Sequence, residues 1–173
     1  MLRSHPAGFP QVAPTAFVDE SAHLIGDVEI GEDRSIPMNV VMRGDVNRIR
    51  VGARTNIQGG CVVHVQRETH PTLVGDEVTV GHRALLHGCT TEHRCLIGMG
   101  AIVLNGAVVG TGSIVAAGTL GVEGTEVPPG SLVMGNPGQV RRQTTDDEIG
   151  SIKQYEYAEN HVGYKREFEA GAR

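Results

Sequence analysis

Large aromatic rings are nearly missing from this chain, which has no Trp, three Phe and three Tyr in 173 residues. That excludes a broad core built around rings and favours a narrow interior filled by aliphatic side chains. Positive charge is not in excess either. Fifteen Lys and Arg against 20 Asp and Glu leave a net charge of −5, with no basic stripe, which argues against nucleic acid or an anionic membrane as partner. No stretch approaches the ~20 apolar residues of a membrane span, and the opening MLRSHPAGFP lacks the apolar run of a secretory signal, so a cytoplasmic protein is expected. Cysteine is scarce and odd in number. Cys61, Cys89 and Cys95 read as thiols packed in an interior, not as disulfides or metal ligands.

What the chain does have is a beat of six. Aliphatic residues recur as Ile30, Ile36, Met42, then Val51, Ile57, Val63, then Val74, Val80, Leu86, then Ile97, Val103, Val109, Val115, and a small residue such as Cys61, Ala84 or Ala101 often follows four places on. A period this short marks a solenoid, in which one unit cannot bury its apolar face and must stack on its neighbours. Three hexads, each a short strand ending in a turn, make one triangular coil of roughly 18 residues with the aliphatic residue of every hexad pointing inward. The 24 glycines suit its tight corners. This pattern resembles the left-handed parallel β-helix of hexapeptide-repeat proteins, an all-β solenoid whose handedness follows from the resemblance and not from the spacing.

The repeat covers roughly residues 18–122, and after Leu120 it fades into EVPPGSLVMGNPG, where the reading ends the prism. The expected organisation is a β-helix domain over 1–140 and a C-terminal segment, 141–173, carrying a helix packed on the prism. Thr145 with Glu148 three residues later is a capping box that opens this helix over about 146–169, with Ile149, Ile152, Ala158 and Val162 for a buried stripe.

Two breaks in the beat carry the functional signal. Three extra residues lie between Met42 and Val51, and five between Val63 and Val74. With these looped out, Met42, Val63 and Leu86 share one face, and the residues after them, Arg43, His64 and His87, form an outward ladder with rungs about 4.8 Å apart. Two imidazoles at that spacing can share an ion. His82 follows Val80 by two and falls on the next face, so a neighbouring copy would have to supply it. Copies packed around a threefold axis would make equivalent composite sites, and a homotrimer is expected. Three neutral imidazoles and one open position suit a catalytic zinc, with Fe2+ or Co2+ as alternatives. His5, His23, His70, His93 and His161 read as surface residues.

The segments MRGDVNRIRVGARTNIQGGCVVHV and VGDEVTVGHRALLHGCT resemble the γ-class carbonic anhydrases and their bacterial hexapeptide-repeat relatives over about residues 14–140. The resemblance implies a zinc-dependent lyase that hydrates CO2 reversibly to bicarbonate by metal-bound hydroxide. Its implied ligands are His64 and His87 from one subunit and His82 from the next. Arg43 and Asp45 would pair near the subunit interface, and Asn56 and Gln58 would orient the reacting solvent. The class archetype carries acidic proton-shuttle residues, one directly after the RGD, where this chain has Val46. Its long acidic loop is replaced here by QRETHPTL, leaving Glu68 and His70 as titratable substitutes, so weak activity is expected. Two other functions stay open on the sequence: a metal-dependent thioesterase or acyl-transfer protein, and a trimeric metal-binding scaffold without turnover.

Overall fold

A computed structural model describes residues 1–154, in which the chain winds into a parallel β-helix of about seven turns. The strands His23–Ile30 and Val41–Val51 each bend around a corner. On one face Val41 and Met42 pair with Val62–His64, which is followed by Leu85–His87, Ile102–Val103 and Leu120–Gly121. On the next face Ile49, Arg50 and Val51 pair with Thr72–Val74, followed by Thr90–Thr91, Val108–Val109 and Glu126–Val127. The third face stacks Phe17–Val18, Ser35–Ile36, Asn56–Ile57, Thr79–Val80, Leu96–Ile97, Ile114–Val115 and Ser131–Gly135.

The beat of six is the core. Every one of its aliphatic residues from Ile30 to Val115 is at most 4% exposed. Each such side chain contributes about 1.5–3 kcal/mol by leaving water. The backbone of each coil is satisfied by the next, as where Gln58 N–H donates to Val80 O at 2.8 Å and Gly81 N–H to Ile97 O at 2.7 Å. Cys61, Cys89 and Cys95 are free and buried, and burial pushes their thiols up to about 11, 12 and 11.

The two breaks in the beat do leave the prism. The register jumps from Gly26 opposite Gly44 to Val28 opposite Ile49, so the segment around Asp45 bulges outward. The second break is a small hairpin closed by a bridge between Gln66 and His70. A third irregularity runs the other way. Thr91 follows Leu86 by five places instead of six, yet it fills the inward slot between Val74 and Val109 and is buried. Gly88, with φ of 59°, tightens the turn that absorbs the missing residue.

The prism does not end at Leu120. Val127 and Val133 keep the beat and are buried, and their strands pair onto the coil below. Gly121 in the aliphatic slot and Pro128 with Pro129 at a corner hide the period from sequence. Ser131–Gly135 then turns back on Gly138–Gln143, the antiparallel pair that closes this end. The helix Asp146–Gln154 follows, with the capping box in place: Glu148 N–H donates to Thr145 Oγ1 at 3.2 Å, and Thr145 N–H to Glu148 Oε2 at 2.9 Å. The Arg142 guanidinium grips the same carboxylate and, with the Thr145 amide, pulls Glu148 down to about 2. Ile152 is buried, and Ile149 lies against Gly112 of the prism. The rest of the expected helix, including Ala158, His161 and Val162, lies outside the described residues. Among the described residues no helix is long and apolar enough to cross a membrane.

Glu77 stands at a corner of the repeat, partly buried at φ 57° and paired with Arg54 at 2.8 Å. The exposed Glu32 is therefore the better control for core position Val80. Val80→Asp is expected to destabilise the fold by at least about 3 kcal/mol, because a carboxylate in a one-residue-wide apolar stack finds no partner. Glu32→Ala should stay within about 0.5 kcal/mol. Equal thermal midpoints for the two variants would show the register to be wrong.

Candidate metal centre

The ladder puts His87 directly opposite His64, one coil apart. Their rings meet edge to face with centroids 4.9 Å apart, and His64 Nδ1 lies 3.0 Å from His87 Nε2. Each ring's other nitrogen is engaged. His64 Nε2 is 3.0 Å from Asp45 Oδ1, and His87 Nδ1 is 2.7 Å from Asn105 Oδ1. A carboxylate only accepts, so His64 carries its proton on Nε2. Asn105 donates its amide N–H to Glu123 at 2.8 Å, which turns its oxygen toward His87 and puts that ring's proton on Nδ1. Both facing nitrogens are then left with lone pairs. Two lone pairs 3.0 Å apart repel unless a proton or a cation sits between them, so the donor set fits a metal ion.

Arg43 completes the rung below, with Nη1 3.4 Å from Asp45 Oδ2. Burial works to raise the Asp45 carboxyl, but the His64 hydrogen bond and the Arg43 charge outweigh it and hold Asp45 below its ordinary value. Burial also dominates at His64, pushing the imidazole below its ordinary value against the opposing pull of Asp45. A ligand must be neutral to bind a metal, so this shift prepares the ring for coordination.

His82 is not part of this cluster. It follows the third-face strand Thr79–Val80, in a groove with Met38, Gly59, Arg83 and Met99. Gln58 travels with it, accepting the His82 backbone N–H at 3.1 Å. Asn56 lies on the same face, its amide nitrogen buried without a hydrogen-bond partner among the described residues. Among the described residues no three His, Cys, Asp or Glu side chains come together as a cation site. One chain thus presents two parts on different faces: His64 and His87 with Asp45 and Arg43, and His82 with Gln58 and Asn56.

Sequence reading missed Asn105 and Glu123, although each follows the last by one 18-residue step: His87, Asn105, Glu123. It placed His70 at the surface, with Glu68 as a titratable substitute for the missing shuttle acids. The His70 ring instead lies over the Gly106 backbone, its Nε2 3.1 Å from where a side chain there would begin. Glu68, the other substitute acid, sits against the bulge, its N–H donating to Val46 O at 3.3 Å.

A β-helix of stacked hexads with histidines on successive rungs defines a hexapeptide-repeat protein, and comparison with known sequences narrows that class. The chain is 41% identical over 167 residues to a carbonic anhydrase of Geobacillus kaustophilus, covering 95% of this chain and 91% of that one. It is 49% identical over 150 residues to the mitochondrial gamma carbonic anhydrase 1 of Arabidopsis thaliana, covering 84% of this chain and 54% of that one. The chain belongs to the γ-carbonic-anhydrase family. It spans about half the length of the plant relatives. Among solved structures, a hexapeptide transferase family protein of Anaplasma phagocytophilum superposes with a TM-score of 0.87 at 40% identity, over 96% of this chain and 97% of that one. No family profile matches.

The direction of the His64 shift sets a pH dependence. As pH falls through 6.5, the unfolded chain takes up a proton that buried His64 still refuses, so stability declines from there downward. In metal-free protein the His64 ring should titrate below 6.5 by NMR. Asp45→Asn should move that midpoint lower still, because Asp45 is the group that raises it. A midpoint unmoved by the substitution would exclude the Asp45 contact.

Proposed function

We propose that the protein hydrates CO2 reversibly to bicarbonate at a divalent ion, zinc in the first instance, held between subunits of a homotrimer. The observation that carries this reading is the pair of converging lone pairs on His64 and His87, each with its proton committed elsewhere. The family membership supports the reaction. His82 of a neighbouring copy would supply the third nitrogen. Exposed Val62 and Ile102 beside the His64 ladder, and exposed Met38 and Met99 beside His82, give each face an apolar margin suited to a heterologous contact that closes into a ring.

The ion, when bound, supplies Lewis-acid activation of water at neutral pH. The side chains do the rest. His64 and His87 are held as neutral donors by Asp45 and Asn105, so no proton must leave the ligands before binding. Gln58 and Asn56 arrive with His82 and offer carboxamides that orient the attacking water without adding charge. Arg43 keeps Asp45 ionised and the interface in register. Val46 cannot take a proton where the class archetype carries an acid, so proton export falls to Glu68 or His70, both on the hairpin over the site.

Stopped-flow CO2 hydration of zinc- and iron-loaded protein tests this, beside an acyl-CoA hydrolysis panel prompted by the transferase-family neighbour. Small imidazole buffers should raise kcat and leave kcat/KM nearly unchanged, since proton removal follows the reaction of CO2. His87→Ala should abolish turnover. Turnover that ignores buffer concentration or survives loss of His87 would refute the mechanism. Thioester cleavage without CO2 hydration would select the acyl reading, and bound metal without either activity the scaffold.

Sharing of the site has its own signature. Co-expressed His64→Ala and His82→Ala chains should bind metal at mixed interfaces, where an intact His64 and His87 meet an intact His82. Each variant alone should bind little. Full-affinity binding by separated monomers would contradict a shared site.

A further inference from the structure

The reading of His64 and His87 as an ion-binding pair leaves open what fixes the ring of His87. On that reading, we propose that Asn105 is a positioning residue, oriented by Glu123, that holds His87 in its Nδ1–H tautomer and aims Nε2 at the ion. Three observations converge on it. Asn105 Oδ1 accepts the His87 Nδ1 proton at 2.7 Å, a short contact for a neutral pair. An asparagine alone could turn its amide around and donate to Nδ1, which would move the ring proton to Nε2 and block the ligating lone pair. Glu123 prevents this, because its carboxylate only accepts and takes the Asn105 N–H at 2.8 Å. The flipped amide would face oxygen against oxygen.

The third observation is the room left for the contact. A Cβ on Gly88 would lie 2.5 Å from Asn105 Oδ1 and 3.0 Å from His70 Cβ, so the residue next to the ligand is bare where the amide reaches in. The shortened hexad between Leu86 and Thr91 places this glycine at φ 59°, a conformation it adopts without strain. Glu123, Asn105 and His87 thus form a relay across three coils that transmits orientation from a surface carboxylate to a ligand. The amide in the middle keeps the carboxylate's charge at one remove. On the other ring, Asp45 meets His64 directly. The two ligands are therefore oriented by different means, one through a charged partner and one through a neutral one.

The test reads the tautomer apart from the metal. Long-range 1H–15N correlation spectra of metal-free, 15N-labelled protein should show His87 as the Nδ1–H form. Asn105→Ala should give a mixture of tautomers and weaken Co2+ binding, measured by chelator competition, roughly 10- to 100-fold. Glu123→Ala should act in the same direction, and so should Glu123→Gln, whose amide can donate to a flipped Asn105 as readily as it accepts from the native one and so no longer fixes its orientation. These two variants at an exposed side chain decide the matter if Asn105→Ala does not fold. An unchanged His87 tautomer with unchanged Co2+ affinity in Asn105→Ala overturns the proposal, and so do a wild-type tautomer and affinity in both Glu123 variants. His64→Ala separates the two readings. If it binds Co2+ as tightly as the wild type, the ion-binding reading fails, and the tautomer spectra alone uphold or overturn the role of Asn105.

Discussion

Everything in this protein rests on an apolar stack one side chain wide, because a single coil has too little interior to hold itself together. Ile57, Val80, Ile97 and Val115 lie above one another on the third face, and the other two faces repeat the arrangement. Backbone hydrogen bonds between coils then lock successive strands at one spacing. An outward residue after an inward one inherits that spacing and direction. His64 and His87 face each other because Val63 and Leu86 are buried side by side.

The same rigidity limits what one chain can assemble. Ladders bring together residues a coil apart on one face and keep residues on different faces apart. His82 and Gln58 therefore stay with each other and away from His64 and His87. The exposed apolar residues lie along both of these surfaces, so burying them and completing the ligand set would be one event. Assembly and metal binding would then be thermodynamically linked, each adding to the affinity of the other.

Around the two facing histidines, hydrogen bonding matters more than net charge. Asp45 and Asn105 do not touch the point between the rings, yet they decide which nitrogens face it with lone pairs. Burial at His64 keeps the ring neutral, and the His64 hydrogen bond together with the Arg43 charge keeps Asp45 ionised where burial would otherwise favour its protonation. The bulge around Asp45 and the hairpin carrying Glu68 and His70 are the places where the repeat is interrupted. There the chain can add polar groups without breaking the stack.

The period of six, the inward residues, both protruding segments, the free thiols and the capping box at Thr145 were all legible in the residues, because each is a local pattern repeated or flanked by a recognisable signal. The facing of His64 and His87 followed from counting hexads once the extra residues were looped out. Counting failed where the slot was filled unconventionally: Gly121 in place of an aliphatic residue, and prolines at the corner before Val133. Backbone pairing holds those rungs in line even when the side chain does not announce them. Only the tertiary structure could give the proton positions at the two rings, since these depend on Asn105 and Glu123 reaching across neighbouring coils with a particular amide orientation. A repeat specifies which residues share a face; which atoms they turn toward one another is decided by the packing between rungs.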